Sequence, residues 1–319
     1  MGGWRRAGLT QGGTELERFS DRLAEAILAK KSTVCVGLDP VLDRMPPQLV
    51  RKYRRRVATI DGAQAVALCF EEFCRGIIEA VADVVPVVKP QAAFFEQYGA
   101  AGWSALRGVI DHAHEHGLLV VLDVKRGDIA ATAEAYARAV FDGARGFDGD
   151  LPGLGADAVT LSPYLGADSL APFLQFCERG KGAFVLARTS NPGAQDLQEK
   201  ESAGRPLFLH VADLIDRVGR PFIGEHGFSD VGAVAGATAP GALRALRAAL
   251  PHAFFLVPGL GAQGGRTEAL AGVADERGLG LVANASRSII YAWQGTGEDY
   301  RTAAAAAAAA MRDQLARIA

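Results

Sequence analysis

Eight short apolar runs, at residues 33–38, 84–88, 118–124, 158–161, 183–187, 231–236, 254–257 and 280–284, divide this chain, and helical patterns fill most of the intervals. Runs that stay apolar at successive positions read as strands buried on both faces, the pattern of a parallel sheet covered by helices. Eight strand-helix units within 319 residues favour a single α/β (β/α)8 TIM barrel over a doubly wound open sheet. The run at 231–236, rich in Gly and Ala, is the weakest strand of the eight.

Upstream of the first run, Thr14 and Glu17 form a capping box, and Leu16, Phe19, Leu23 and Ile27 recur at helical spacing. This predicts a helix over residues 14–30 ahead of strand 1, with residues 1–13 a flexible tail and 14–319 the barrel domain. The alanine run at 303–310 predicts a final surface helix. Two Gly- and Pro-containing insertions, 143–155 and 188–204, exceed an ordinary connection and read as lids, rim loops or tolerated surface.

A formal net charge of −2 and a pI near 6.3 argue against a global attraction to nucleic acid or anionic membrane, so an anionic ligand must be held by local groups. Cys35, Cys69, Cys74 and Cys177 lack metal-site spacing and read as reduced thiols. The paired arginines Arg5 and Arg6 precede no apolar segment of an export signal, and no run approaches the roughly 20 apolar residues of a membrane span. These features predict a cytoplasmic protein.

Polar residues follow several of the runs: Asp39, Lys89, Asp123 with Lys125, Ser162, Ser190, Gln263 and Arg287. In a barrel these positions converge on the C-terminal rim, where active sites of this fold sit. The densest group is Asp123-Val124-Lys125-Arg126-Gly127-Asp128. Alternation along a strand puts Asp123 and Lys125 on one face, and Lys89 at the end of the second run points to the same rim. Neighbouring carboxylates keep a lysine protonated against the pull of burial, so Lys125 is expected to be an ammonium able to donate a proton. His112, His114 and His116 fall on a helix leading into the third strand, away from that rim, and their i, i+2 spacing does not make a metal site. Ser162 and Ser190 have no evident histidine base.

The segment Pro258-Gly259-Leu260-Gly261-Ala262-Gln263-Gly264-Gly265 contains the letters G-x-G-x-x-G, but it lies late in the chain with no acidic residue about 20 positions on. In a barrel, loops after strands 7 and 8 commonly bind phosphate through backbone amides. Arg287, just past the eighth run, supplies a bidentate cation there. A phosphorylated small molecule is the ligand this arrangement implies.

Cys35-Val36-Gly37-Leu38-Asp39-Pro40, Val88-Lys89-Pro90, Asp123 to Ile129 with Thr132, Thr189-Ser190-Asn191-Pro192-Gly193, Pro258 to Gly265 and Arg287 together resemble the orotidine 5'-phosphate decarboxylase family, and its longer bacterial branch most closely. The resemblance implies decarboxylation of orotidine 5'-monophosphate (OMP) to UMP in de novo pyrimidine synthesis, without metal or organic cofactor. It implies that Lys125 donates the proton to C6, that Asp123 lies against the departing carboxylate, and that Lys89 bridges Asp123 and the ribose. Asp39 is implied to bind a ribose hydroxyl, Ser190 and Pro258 to meet the pyrimidine, and Gln263, Gly264, Ser286 and Arg287 to hold the phosphate. Asp128 and Thr132 are implied to reach the neighbouring subunit's site, making a homodimer with shared sites. The phosphate loop is expected to close over the substrate.

Three other readings exist. Magnesium-dependent phosphosugar decarboxylases and synthases share the barrel and the Asp-x-Lys-x-x-Asp pattern, but they carry an acidic metal ligand where Lys89 stands. A Schiff-base lysine needs a neutral amine, which the flanking carboxylates oppose. A catalytically silent nucleotide-phosphate binder on the same barrel is the remaining alternative.

Overall fold

The computed structural model describes residues 17–260, 265 and 267–317. Eight parallel strands close into a barrel: β1 (Val34–Leu38), β2 (Val87–Pro90), β3 (Leu119–Arg126), β4 (Ala158–Leu161), β5 (Gly182–Arg188), β6 (Ser229–Ala235), β7 (Ala253–Val257) and β8 (Leu281–Ala285). Each pairs with its sequence neighbour, and β8 returns to β1 through Val34 with Ala283, Cys35 with Asn284 and Val36 with Ala285. All eight expected runs are strands, shifted by a few residues at the ends. The Gly- and Ala-rich sixth run is among them because its small residues admit neighbours. A Cβ on Gly232 would stand 2.5 Å from the Phe254 carbonyl oxygen and 2.8 Å from the Phe184 ring. The closed sheet excludes the Rossmann reading of the glycine motif after β7.

Around the barrel run α1 (Phe19–Lys30), α2 (Pro47–Arg56), α3 (Gly62–Val81), α4 (Ala92–Glu96), α5 (Gly99–Glu115), α6 (Ala130–Val140), α7 (Ala167–Leu174), α8 (Leu207–Gly219), α9 (Pro240–Ala249), α10 (Arg287–Ile290) and α11 (Tyr300–Leu315). The alanine run lies in α11, but this helix is not merely superficial. Ala303, Ala304 and Ala308 are buried, the last two in the main core, and small side chains let α11 approach α3.

The N-terminal helix starts at Phe19, later than expected. Thr14 of the expected capping box lies outside the described residues, Glu17 is not helical, and Arg18 holds the cap position in extended conformation. Phe19, Leu23, Ala24 and Ile27 of α1 pack with the barrel-lining Cys35, Val87, Leu119, Phe184 and Phe254, so the helix plugs one mouth. Its polar face is stapled there. Asp230 accepts from the Ser20 amide and hydroxyl, both at 2.9 Å, and from Arg18 at 3.1 Å. Arg22 reaches Asp157 at 2.9 Å. With that floor closed, the C-terminal mouth is the end left for chemistry.

The two insertions part company. Residues 143–155 follow the far end of α6 and precede β4, which puts them at the plugged end. There Ala144–Arg145 pairs antiparallel with Asp150–Leu151, and Arg107 holds the Pro152 carbonyl at 2.9 Å. This insertion is no lid. Residues 188–204 leave β5 at the opposite rim and run into a small hairpin, Glu201–Ser202 with Arg205–Pro206.

The three histidines lie away from the rim, as expected. His114 bonds Asp157 at 2.9 Å, while buried His112 stands 3.2 Å from both Glu79 and Glu115. Among the described residues no group of three or more His, Cys, Asp or Glu is placed to hold a metal, and no helix is long and apolar enough to cross a membrane. All four cysteines are buried and unpaired. Burial pushes the Cys35 thiol up to about 12.

Candidate active site

The strand alternation that places residues i and i+2 on one face brings three charged side chains together at the rim. Lys89, near the end of β2, donates to Asp123 Oδ2 at 2.8 Å, and Lys125 donates to Asp123 Oδ1 at 2.6 Å. Lys89 and Asp123 are buried, whereas the Lys125 side chain is 47% exposed and faces the open mouth. Burial alone would push Asp123 up, but Lys89 and Lys125 outweigh it and hold the carboxyl well below the usual range. Burial likewise pulls Lys89 down, and Asp123 and Asp39 more than reverse that, so it remains an ammonium. At neutral pH the three groups carry one net positive charge in a space walled by the sheet. An anionic group entering there meets that net positive charge, with the Lys125 ammonium on the open side.

Two further residues complete the array, and neither was singled out from the sequence. Gln91 donates to Asp123 Oδ2 at 3.0 Å, and the Thr160 hydroxyl donates to Oδ1 at 2.9 Å. Gln91 was legible in principle, since it follows Lys89 at the i+2 spacing. Thr160 was not, because only the β3–β4 register brings it beside Asp123. The Thr160 oxygen also accepts from the amides of Val124 (3.1 Å) and Lys125 (2.9 Å). Those two bonds fix an unusual backbone. Lys125 has φ 43°, and the β3–β4 register shifts between Leu122 and Arg126. A left-handed non-glycine residue costs of order 1–3 kcal/mol and survives only where the surroundings over-determine it.

The remaining candidates line the same rim, with exceptions. Asp39 follows β1, and its Oδ1 is buried without a hydrogen-bond partner, an acceptor suited to a ligand hydroxyl. Its main-chain carbonyl is held by the Tyr291 hydroxyl at 3.0 Å, which also accepts from the Val41 amide at 2.8 Å, tying the β1 loop to the segment after α10. Ser286 caps α10 with its hydroxyl buried and unpartnered, and exposed Arg287 opens that short helix. Pro258 follows β7, and its carbonyl accepts from the Ala237 amide at 3.0 Å. Ser162 and Ser190 follow β4 and β5; the Ser190 carbonyl accepts from Thr238 at 3.1 Å. Gln263 and Gly264 lie outside the described residues. The loop bases that carry them are joined by a bridge between Leu260 and Gly265 and by the Gly265 amide on the Gly259 carbonyl at 3.0 Å.

Asp128 departs from the one-patch arrangement expected along the strand. The chain leaves β3 after Arg126, and Asp128 Oδ1 accepts from its neighbour's amide, Ile129, at 2.8 Å. No ion pair joins Asp128 to Lys125 among the described residues, so Asp123 alone holds that ammonium within one chain. Thr132 is exposed on the first turn of α6, beside Ile129 and Tyr136, which are 51% and 37% exposed.

Comparison with known proteins places this geometry. Residues 32–301 match the family described as Orotidine 5'-phosphate decarboxylase / HUMPS. Over 275 residues the chain is 46% identical to an orotidine 5'-phosphate decarboxylase of Rhodopirellula baltica, covering 86% of this chain and 88% of that protein. The structure of Leishmania donovani OMP decarboxylase aligns with a TM-score of 0.70 at 35% identity, over 95% of this chain and 100% of that one. Leishmania donovani UMP synthase aligns over 94% of this chain with a TM-score of 0.71 at 37% identity, but this chain spans only 57% of its length. With the barrel, the lysine-carboxylate-lysine array and the family match in agreement over most of its length, the chain belongs to the orotidine 5'-phosphate decarboxylase / HUMPS family.

Proposed function

We propose that this rim decarboxylates OMP to UMP and CO2 in pyrimidine biosynthesis, with the chain's own side chains supplying the catalytic groups. The observation that carries the reading is the Lys89–Asp123–Lys125 array, with both oxygens of one buried carboxylate held by ammonium groups. Loss of CO2 from C6 of the pyrimidine leaves an electron pair in the ring plane, where no π system can spread it. Stabilisation therefore has to come from a fixed cation nearby. Lys125 is that cation and then the proton donor: the C6–carboxylate bond breaks, its electron pair stays on C6, and an N–H proton of Lys125 moves to it. Asp123 lies against the substrate carboxylate in the ground state, a like-charge contact relieved as CO2 departs. Lys89 and Gln91 fix Asp123 in place, and Thr160 fixes both Asp123 and the Lys125 backbone.

Recognition is divided around the rim. Asp39 takes a ribose hydroxyl, Ser190 and Pro258 border the pyrimidine, and Gln263, Gly264, Ser286 and Arg287 take the phosphate. The phosphate grip is remote from C6, so its binding energy is available to close the loop after β7 and exclude water. The same two ammonium groups disfavour a divalent cation at Asp123, which separates this site from the magnesium-dependent branch.

The working unit is a cytoplasmic homodimer in which Asp128 and Thr132 complete the partner's site. The exposure of Thr132 beside Ile129 and Tyr136, and the separation of Asp128 from its own Lys125, support this reading. Mixing Asp128→Ala subunits with Lys125→Ala subunits tests it. Each homodimer is expected to be nearly inactive, while the heterodimer regains up to half of wild-type activity through its one intact site. A verified heterodimer with no recovery contradicts shared sites.

A further inference from the structure

We propose that Arg188 is a positioning residue that couples the pyrimidine-side loop to the phosphate loop, and that the insertion 188–204 exists to hold it. This deepens the decarboxylase reading and rests on it.

Arg188 ends β5, and only 9% of it is exposed. Its guanidinium joins three segments. Nη1 donates to the Thr189 carbonyl at 2.6 Å and to Thr238 Oγ1 at 3.2 Å, while Nε and Nη2 donate to Glu199 Oε1 at 3.2 and 2.6 Å. The Thr238 hydroxyl in turn donates to the Ser190 carbonyl at 3.1 Å. Beside it, the Ala237 amide holds the Pro258 carbonyl, and the Gly236 amide holds the Arg188 carbonyl at 2.7 Å. One guanidinium thus connects the residue before Ser190, the loop after β6 and, through the Ala237–Pro258 bond, the base of the loop carrying Gln263.

The insertion supplies the anchor. Glu199 provides the carboxylate, and Gln198 accepts from the Thr189 amide at 2.8 Å and donates to the Thr189 hydroxyl at 2.9 Å. Gln198 is itself fixed at both backbone ends, to Ala194 and Phe208. The spaces between these loops leave no slack. A Cβ on Gly236 would sit 2.8 Å from Ser190 backbone atoms, and one on Gly265 would sit 2.8 Å from the Ala237 Cβ. A shift at Arg188 is therefore passed on rather than absorbed. Displacements of about 1 Å at a site of this kind cost up to about 10²-fold in rate.

The test is a double-mutant cycle read on kcat/KM for OMP, with folding checked by circular dichroism and melting temperature. Glu199→Gln keeps the shape and removes the charge that aims Arg188; it is expected to lower kcat/KM about tenfold. In a Gln263→Ala background, where the phosphate loop has lost its ligand, the same change is expected to cost less than threefold. Arg188→Lys, which cannot span Glu199 and Thr238 together, should behave alike and stands in if Glu199→Gln fails to fold. Equal losses in both backgrounds, or no loss in the wild-type background, overturn the coupling. Wild-type turnover in the same assay bears on the decarboxylase reading separately, so additive losses beside an active wild type refute only the brace.

Discussion

Lys125→Ala is expected to lower turnover of OMP by at least about 10⁴-fold, because it removes both the cation facing C6 and the proton that the carbanion needs. Its side chain is half exposed at the mouth and, among the described residues, pairs with Asp123, so truncation should leave the barrel folded. Lys89 still neutralises Asp123 at 2.8 Å. On the proposed division of the rim UMP is gripped mainly through its ribose and phosphate, so its affinity should change by less than about tenfold. Isothermal titration with UMP beside a single-turnover decarboxylation assay separates the two effects. A variant with near-normal turnover removes Lys125 from the mechanism.

Asp123→Asn is expected to injure both stability and catalysis. The carboxylate compensates a buried lysine and a partly exposed one, and it accepts four hydrogen bonds, from Lys89, Lys125, Gln91 and Thr160. An amide presents one acceptor and two donors to four donors. Breaking a buried ion pair by removing one partner costs about 3–5 kcal/mol; exposure of Lys125 puts the loss at the lower end. Turnover should fall by about 10²–10³-fold or more. Lys89 and Lys125 hold Asp123 well below the usual carboxylate range. Its stabilising contribution is therefore fully present above the unfolded carboxyl value and is lost progressively as pH falls from there through the depressed folded one. Denaturant unfolding across pH 4–8 should show a nearly constant gap between wild type and Asp123→Asn. A gap that closes already near pH 5 contradicts the depressed carboxyl.

The barrel was legible because eight apolar runs recur at strand length with helices between them, and parallel strands buried on both faces leave that trace in any sequence. Asp123 and Lys125 were legible for a local reason, the i, i+2 alternation of one strand. What depended on contacts between distant segments was not. Thr160 reaches Asp123 through the β3–β4 register, and Arg188 meets Glu199 and Thr238 through the folding back of two rim loops. Asp128 shows the limit of spacing as a guide, since the alternation ends where the strand does and the left-handed Lys125 redirects the chain. The insertion at 143–155 has the composition of a lid, but only the direction of α6 decides which end of the barrel it occupies. The helix before β1 begins at Phe19 rather than at residue 14, and its first turn is held by contacts of Ser20 and Arg18 with the distant Asp230, which no local pattern announces.

The most direct test of the account is OMP consumption by the wild-type protein in excess EDTA, followed by ultraviolet absorbance with UMP identified as product. The array of Lys89, Asp123 and Lys125 predicts full conversion to UMP at a rate that EDTA does not change. Activity that disappears in EDTA and returns with magnesium contradicts it, and assigns the chemistry to a metal rather than to Lys125.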